Sequence, residues 1–312
     1  MINNAPESSV IEQNSLELGK WANLFMAVAG VATSYLSHSD ALLVDGLYSG
    51  VNFFSAIIAA RITAAVACPA DRRYPFGYEV LEALYVKYRA LVLLGIMAFA
   101  SLGAVQKIIA FSTGSEVPEL VFGPILIYAI VMVSICLSLS AWHHYNWKRS
   151  GGRSEILRTE SKAAIVDGAI SGGAGGTLFA ASLLEGTAID IIIPIADSIV
   201  VLGLCVVLFR EPVSIFVRSL REVAGQSADA SLVEKVKTHT QELFKGKPFT
   251  VLDVAVTKMG RRFFVVPYLK PDQLVNAGEL DALRQELATE YTNLLGDTSV
   301  ELVITTTSPL AS

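Results

Sequence analysis

Six stretches of this chain are long, apolar and almost free of charge: Trp21–Ser37, Ala41–Val66, Leu81–Phe111, Leu120–Trp142, Ile156–Leu184 and Ile189–Phe209. A helix needs roughly 20 residues to cross the hydrocarbon core of a bilayer. That layer holds no water to satisfy peptide groups, so a helix, which bonds its own backbone, is the form such stretches take. The composition agrees, with 53% hydrophobic and 17% charged residues and a mean hydropathy of +0.52. From Glu211 to Ser312 the chain is charged and has the periodicity of a soluble domain. The expected fold is therefore an α-helical membrane protein of six transmembrane helices with a small α+β domain at its C-terminal end. The expected partition is a cytoplasmic segment 1–18, a membrane domain 19–210 and a cytoplasmic domain 211–312.

Basic residues set the orientation. Arg61, Arg72 and Arg73 surround the second connection, Lys148, Arg149, Arg153 and Arg158 the fourth, and Arg210, Arg218 and Arg221 follow the sixth stretch. The connections "SHSD", "STGSEVPE" and "EGTA" have neither Lys nor Arg. The positive-inside rule then places both termini in the cytoplasm. The opening "MINNAPESSVIEQNSLELGK" is polar and acidic and lacks the plan of a signal peptide, so no cleavage is expected. A net charge of −5 argues against nucleic acid as a partner and leaves the lipid bilayer. Cys68, Cys136 and Cys205 are far apart and odd in number, which fits free thiols rather than a disulfide frame. No phosphate-cradling glycine loop, Ser/His/Asp arrangement or metalloprotease helix is present, so an enzyme is not expected.

The tail reads as α-β-β-α-β. "SLVEKVKTHTQELF" has helical spacing, and "TVLDVAVTKMGRRFFVVPYL" alternates about a turn at Met259–Gly260. "NAGELDALRQELATEYTNLL" is a helix with Asn276 as N-cap and Glu279 three residues on, and "SVELVITTT" is a last strand. Helices on one side of such a sheet leave the other face open to a second copy.

Charge inside a bilayer costs several kcal/mol and is usually paired or functional. Asp45, Tyr48, Ser49 and Asn52 follow i, i+3, i+4 and i+7 and form one stripe. Asp167 and Ser171 share a face beside the small-residue run "SGGAGG", as do Asp190, Pro194 and Asp197 in the sixth stretch. Oxygen groups converging from several helices point to a cation or proton site. Asp190 reads as a solvated helix end. Glu82 and Arg89 share a face, and Arg89 is expected to neutralise Glu82 or Asp45. The histidines His38, His143, His144 and His239 lack metal-ligand spacing and read as surface or interfacial residues.

The residues carry a family resemblance. "ALLVDGLYSGVN", "CPADRRYPFGYEVLEAL" and "AIVDGAISGG" resemble the second helix, the following loop and the fifth helix of the cation diffusion facilitators. The "PADxxxPFG" segment is the most specific, and the likeness covers nearly the whole chain. It implies export of a divalent metal (zinc, manganese, iron or cobalt), usually in exchange for protons, by a homodimer joined through the cytoplasmic domain in a bacterial inner membrane. The family's four transport ligands would fall on Tyr48, Asn52, Ala163 and Asp167, and its loop site on Asp71, Tyr74 and Tyr78. Only Asp167 among the four keeps a full charge, and Ala163 offers no ligand atom. Tyr, Asn and Asp make a harder, weaker oxygen site than zinc prefers, one suited to Mn²⁺, Mg²⁺ or a proton. Asp45 and Asp197 are the candidates to supply the missing charge. The expected metal-site residues are thus Asp167, Asp45, Tyr48, Asn52 and Asp197, with no resident cofactor and a transported Mn, Fe, Zn or Co ion. A carrier of a monovalent cation or other charged solute, and a non-transporting partner protein on the same scaffold, remain as alternatives.

Overall fold

The computed structural model describes residues 5–66, 68, 70–149, 155–183, 192–260 and 262–307. Asp190, Arg153 and the connection 185–188 lie outside them. Six long helices come first: α1 (Ala5–Ser37), α2 (Asp40–Val66), α3 (Val80–Ser112), α4 (Phe122–Arg149), α5 (Glu155–Ser182) and α6 (Ile193–Val223). Among the described residues, the five from α2 to α6 are long and apolar enough to cross a membrane. The first expected span, in α1, does not meet that measure. Its apolar stretch is short and interrupted by Asn23, Thr33, Ser34 and Ser37. The sixth stretch was expected to end at Phe209, but α6 runs on to Val223 with Pro212 inside it. Arg210, Glu211, Arg218 and Arg221 change the solvent the helix prefers, not its backbone.

The chain divides into two compact units. One holds the residues up to Ile58 and Arg89–Ser214, the other Ala59–Tyr88 and Ile215–Ser312. In the first unit the core is built from Met26, Leu42, Met97, Ile125, Met132, Leu178 and Val201. Helices α4 and α5 approach closely because α5 offers glycine where α4 needs room. A Cβ on Gly168 would lie 2.9 Å from the Cβ of Cys136, and one on Gly172 2.9 Å from a methyl of Val133. One on Gly175 would collide with Ala129. The "SGGAGG" run is therefore a packing surface, as small residues are in membrane helices. Helices α1 and α2 cross in the same way at Gly30 and Gly46, where a Cβ on Gly46 would sit 2.9 Å from the Val31 nitrogen. His38, with φ of 56°, forms the tight turn between them. His143 is not a surface residue: it is 3% exposed, and its Nδ1 lies 2.8 Å from Ser15 Oγ, which also accepts from Asn146 at 3.3 Å. A polar group buried between helices finds partners there.

The second unit contains α7 (Ala230–Leu243), β1 (Phe249–Met259), β2 (Arg262–Pro271), α8 (Ala277–Leu295), β3 (Thr298–Val300) and β4 (Val303–Ile304). The hairpin turns where its glycine stands, Gly260 at φ of 61°. β1 and β2 are antiparallel, and β3 and β4 both add to β2 in parallel. The single last strand expected from "SVELVITTT" is thus two short ones. Helices α7 and α8 contact the sheet, enclosing Val236, Val254, Val256, Val265, Leu269, Leu287 and Tyr291. Asn276 caps α8 by accepting from the Glu279 N–H at 3.0 Å, and its amide donates to the Glu279 carboxylate at 2.8 Å. Burial pushes the Tyr291 hydroxyl up to about 12. It shares a 2.6 Å hydrogen bond with Thr240.

Candidate functional site

The stripe on α2 meets α4 and α5 at Asp45 and α3 at Asn52. Val44, Asp45 and Tyr48 of α2, Asp167 and Ile170 of α5, and Leu204 and Leu208 of α6 line one cavity of about 10 Å³. That is room for about one water molecule. Two carboxylates from separate helices therefore meet one apolar space. Asp45 is held by two donors on a single oxygen, the Tyr128 hydroxyl of α4 at 2.8 Å and the Ser171 hydroxyl of α5 at 2.7 Å. Its orientation is fixed before any ligand arrives, which is how a binding site avoids the cost of ordering its own groups.

Asp167 sits in an acidic field. Asp45, Glu160 and Glu211 act on it as like charges, and Arg89 as the opposing one. Tyr48 feels Asp167, Glu211 and Arg89. Arg89 of α3 reaches α2. Its Nη2 donates to Oδ1 of Asn52 at 2.9 Å. Ala163 is exposed and adds no donor.

Asp197 lies elsewhere. It is fully buried at the start of α2, where its carboxylate accepts from the Ser39 hydroxyl at 2.5 Å, the Asp40 N–H at 2.7 Å and the Ala41 N–H at 3.2 Å. Ser39 caps α2 by accepting from the Leu42 N–H at 3.4 Å, and a side chain of α6 takes the two N–H groups before it, since the first N–H groups of any helix have no partner of their own. Lys107 of α3 approaches both Asp197 and Asp40 at 3.9 Å. Of the five expected site residues, Asp45, Tyr48 and Asp167 share the cavity, Asn52 is engaged by Arg89, and Asp197 is absent from the cavity lining.

The loop site also has a geometry of its own. Asp71 accepts from the backbone N–H of Arg73 at 2.8 Å and of Tyr74 at 2.7 Å, and from the Tyr78 hydroxyl at 2.8 Å. The tyrosine rings lie 4.3 Å apart. These bonds, led by that from the Tyr74 N–H, hold the Asp71 carboxyl below its usual range. Among the described residues, no three His, Cys, Asp or Glu side chains stand together as a metal cluster.

Three groups escaped the sequence reading. Glu160 precedes Asp167 by seven residues and so shares its face, a signal that was legible. Glu211 lay just past the expected end of the sixth span. Tyr128 sits in an unbroken apolar run and gave no signal.

Long apolar helices that enclose a pair of acidic groups define an integral membrane protein with a charged interior. The chain belongs to the cation efflux family, the cation diffusion facilitators: the model of the cation efflux transmembrane domain matches residues 18–223. It is also 26% identical over 211 residues to magnetosome protein MamB of Paramagnetospirillum magneticum. That match covers 68% of this chain and 65% of the MamB chain, so just under two thirds of the relative is spanned.

Proposed function

We propose that this chain is a secondary transporter that exports a divalent metal cation, in exchange for protons, across the membrane in which it sits. The observation that carries the reading is the meeting of Asp45 and Asp167, from α2 and α5, at one enclosed cavity with the Tyr48 side chain. Two carboxylates offer a cation the charge it loses with its hydration shell, and the same pair can hold a proton when the cation has gone. Asp167 is the central ligand and Asp45, preset by Tyr128 and Ser171, the second. All the offered atoms are oxygens, which favours a hard ion such as Mn²⁺ over tight zinc binding. A cavity of about 10 Å³ is too small for a hydrated ion, so entry requires the helices to part, in keeping with alternating access. On this reading α1 completes six spans, with both termini cytoplasmic, and a homodimer forms through the tail. The sheet face bearing Phe264, Val266 and Tyr268 supports the last point.

The test is uptake by inverted vesicles under an imposed pH gradient, with Mn²⁺, Co²⁺, Zn²⁺ and Fe²⁺ as cargo. Gradient-driven uptake that Asp167→Ala abolishes is expected. Absence of uptake for every divalent ion would overturn the reading. Competition by Na⁺ alone would transfer the site to a monovalent cargo, and copurification with a second membrane protein without flux would mark a partner role.

A further inference from the structure

Arg89 is unexplained by a site that binds a cation. It stands on α3, where the carboxylic acids Asp167 and Glu160 and the neutral phenol of Tyr48 all feel its charge. Its guanidinium is directed to one oxygen, Oδ1 of Asn52, at 2.9 Å. Asn52 is the last member of the polar stripe on α2, one turn beyond Tyr48. An amide oxygen is a neutral ligand, and a guanidinium cannot be deprotonated in a protein. Titration therefore does not break this exposed bond at any working pH; another group that claims the oxygen or repels the arginine would.

We infer that Arg89 is a tethered counter-cation: it occupies the Asn52 oxygen while the site is empty and is driven off it when the cargo cation enters. The inference rests on the proposed cation-binding reading of the Asp45–Asp167 cavity and adds a specificity-determining residue to it. The acidic groups that attract cargo repel one another when nothing is bound, and a fixed positive charge at their edge offsets that repulsion. An arriving divalent ion brings more charge into the same field, so the two cations exclude each other. Release of Arg89 frees Oδ1 of Asn52 as a ligand at the moment the ion arrives. The device costs affinity and gains selectivity, because a monovalent ion neutralises too little of the acidic field to displace a guanidinium already in it.

The full-length protein in detergent is titrated calorimetrically with Mn²⁺, alongside Arg89→Gln and Arg89→Lys. Arg89→Gln should bind Mn²⁺ at least about tenfold more tightly than wild type, because a repelling charge is gone, while Arg89→Lys should stay close to wild type. The same removal should let Na⁺ compete where it did not before. A second measurement needs no variant: phenylglyoxal modification of Arg89, mapped by peptide mass, should speed up when Mn²⁺ saturates the protein. Unchanged or weaker Mn²⁺ binding by Arg89→Gln overturns the inference, as does slower or unaltered modification of Arg89. Asp167→Asn separates this failure from that of the parent reading. If wild type binds Mn²⁺ only through Asp167 yet Arg89→Gln does not tighten, the arginine role alone is refuted. If wild type, Arg89→Gln and Asp167→Asn all bind no Mn²⁺, the metal site and the inference fall together.

Discussion

Asp197 offers the sharpest test of how polarity is used in this membrane domain. It looked like a cation ligand, and its geometry is that of a helix cap. Removing the carboxylate in Asp197→Ala leaves the Asp40 and Ala41 N–H groups and the Ser39 hydroxyl without their acceptor. An N-cap contributes about 0.5–2 kcal/mol, and each hydrogen bond to a charged group about 1.5–3 kcal/mol. These contributions overlap, because all three donors share one carboxylate. Truncating one member of a buried charged network costs about 3–5 kcal/mol, and that is the expected loss for Ala. Asn keeps one acceptor oxygen, forfeits the charge opposite Lys107, and should lose about 1–3 kcal/mol. The assay is reversible unfolding of the full chain in mixed micelles, run beside Mn²⁺ transport scaled to folded protein. A cap predicts lower stability with KM unchanged within about threefold. Wild-type stability in Asp197→Asn, with KM raised about tenfold or more, would refute the cap and return Asp197 to the cargo site.

Two further outcomes follow from the packing and the loop. Gly175→Ala should destabilise the protein by about 1–3 kcal/mol, because the new methyl collides with Ala129. Gly176→Ala, with nothing within 4 Å of an added Cβ, should be neutral or gain up to about 1 kcal/mol; equal losses at both would refute the α4–α5 contact. In the loop, Asp71 titrates below its ordinary range, so the order it confers is complete above about pH 4 and fades as pH falls through its lowered value. Tyr78 is raised by its bond to Asp71, so that bond persists below about pH 10 and is lost as pH rises through the tyrosine's higher value. Ultraviolet titration should show the number of late-ionising tyrosines fall by one in Tyr78→Phe or Asp71→Ala. An unchanged curve in both would refute the pairing.

What the sequence made legible was periodic. Helices α2 to α5 begin within a few residues of their expected starts, because hydropathy switches where the solvent switches. The Asn276 cap and the Met259–Gly260 turn were read from local chemistry that acts over three or four residues. The stripe Asp45, Tyr48, Asn52 came from helical spacing, and so did the shared face of Asp167 and Ser171. What stayed hidden depends on which helix lies opposite. Nothing in "IYAIVM" marks Tyr128 as the donor that fixes Asp45, and nothing near Ser15 marks His143 as its partner. Arg89 and Glu82 share a face, and nothing in that spacing marks the reach of the guanidinium to Asn52 of α2. The end of α6 was missed because a change from apolar to charged residues marks a change of medium, while Pro212 did not end the helix.

The polarity of α2 answers to its neighbours one turn at a time. Its first N–H groups are bound by Asp197 of α6, Asp45 by Tyr128 of α4 and Ser171 of α5, and Asn52 by Arg89 of α3. Three points along the helix are thus tied to four other helices, by polar groups that a bilayer leaves unpaired only at a cost of several kcal/mol. On the proposed function, a cation entering between Asp45 and Asp167 would compete for the same oxygens that make two of those ties, the Asp45 carboxylate and the Asn52 amide. Binding would then be coupled to the position of α2 by shared atoms, without a separate signal path. The Asp197 cap does not face the cavity and would keep its bonds throughout. On that proposal the end of α2 at Asp40 would be the fixed point, and the turns from Asp45 to Asn52 the part of the helix that cargo could release.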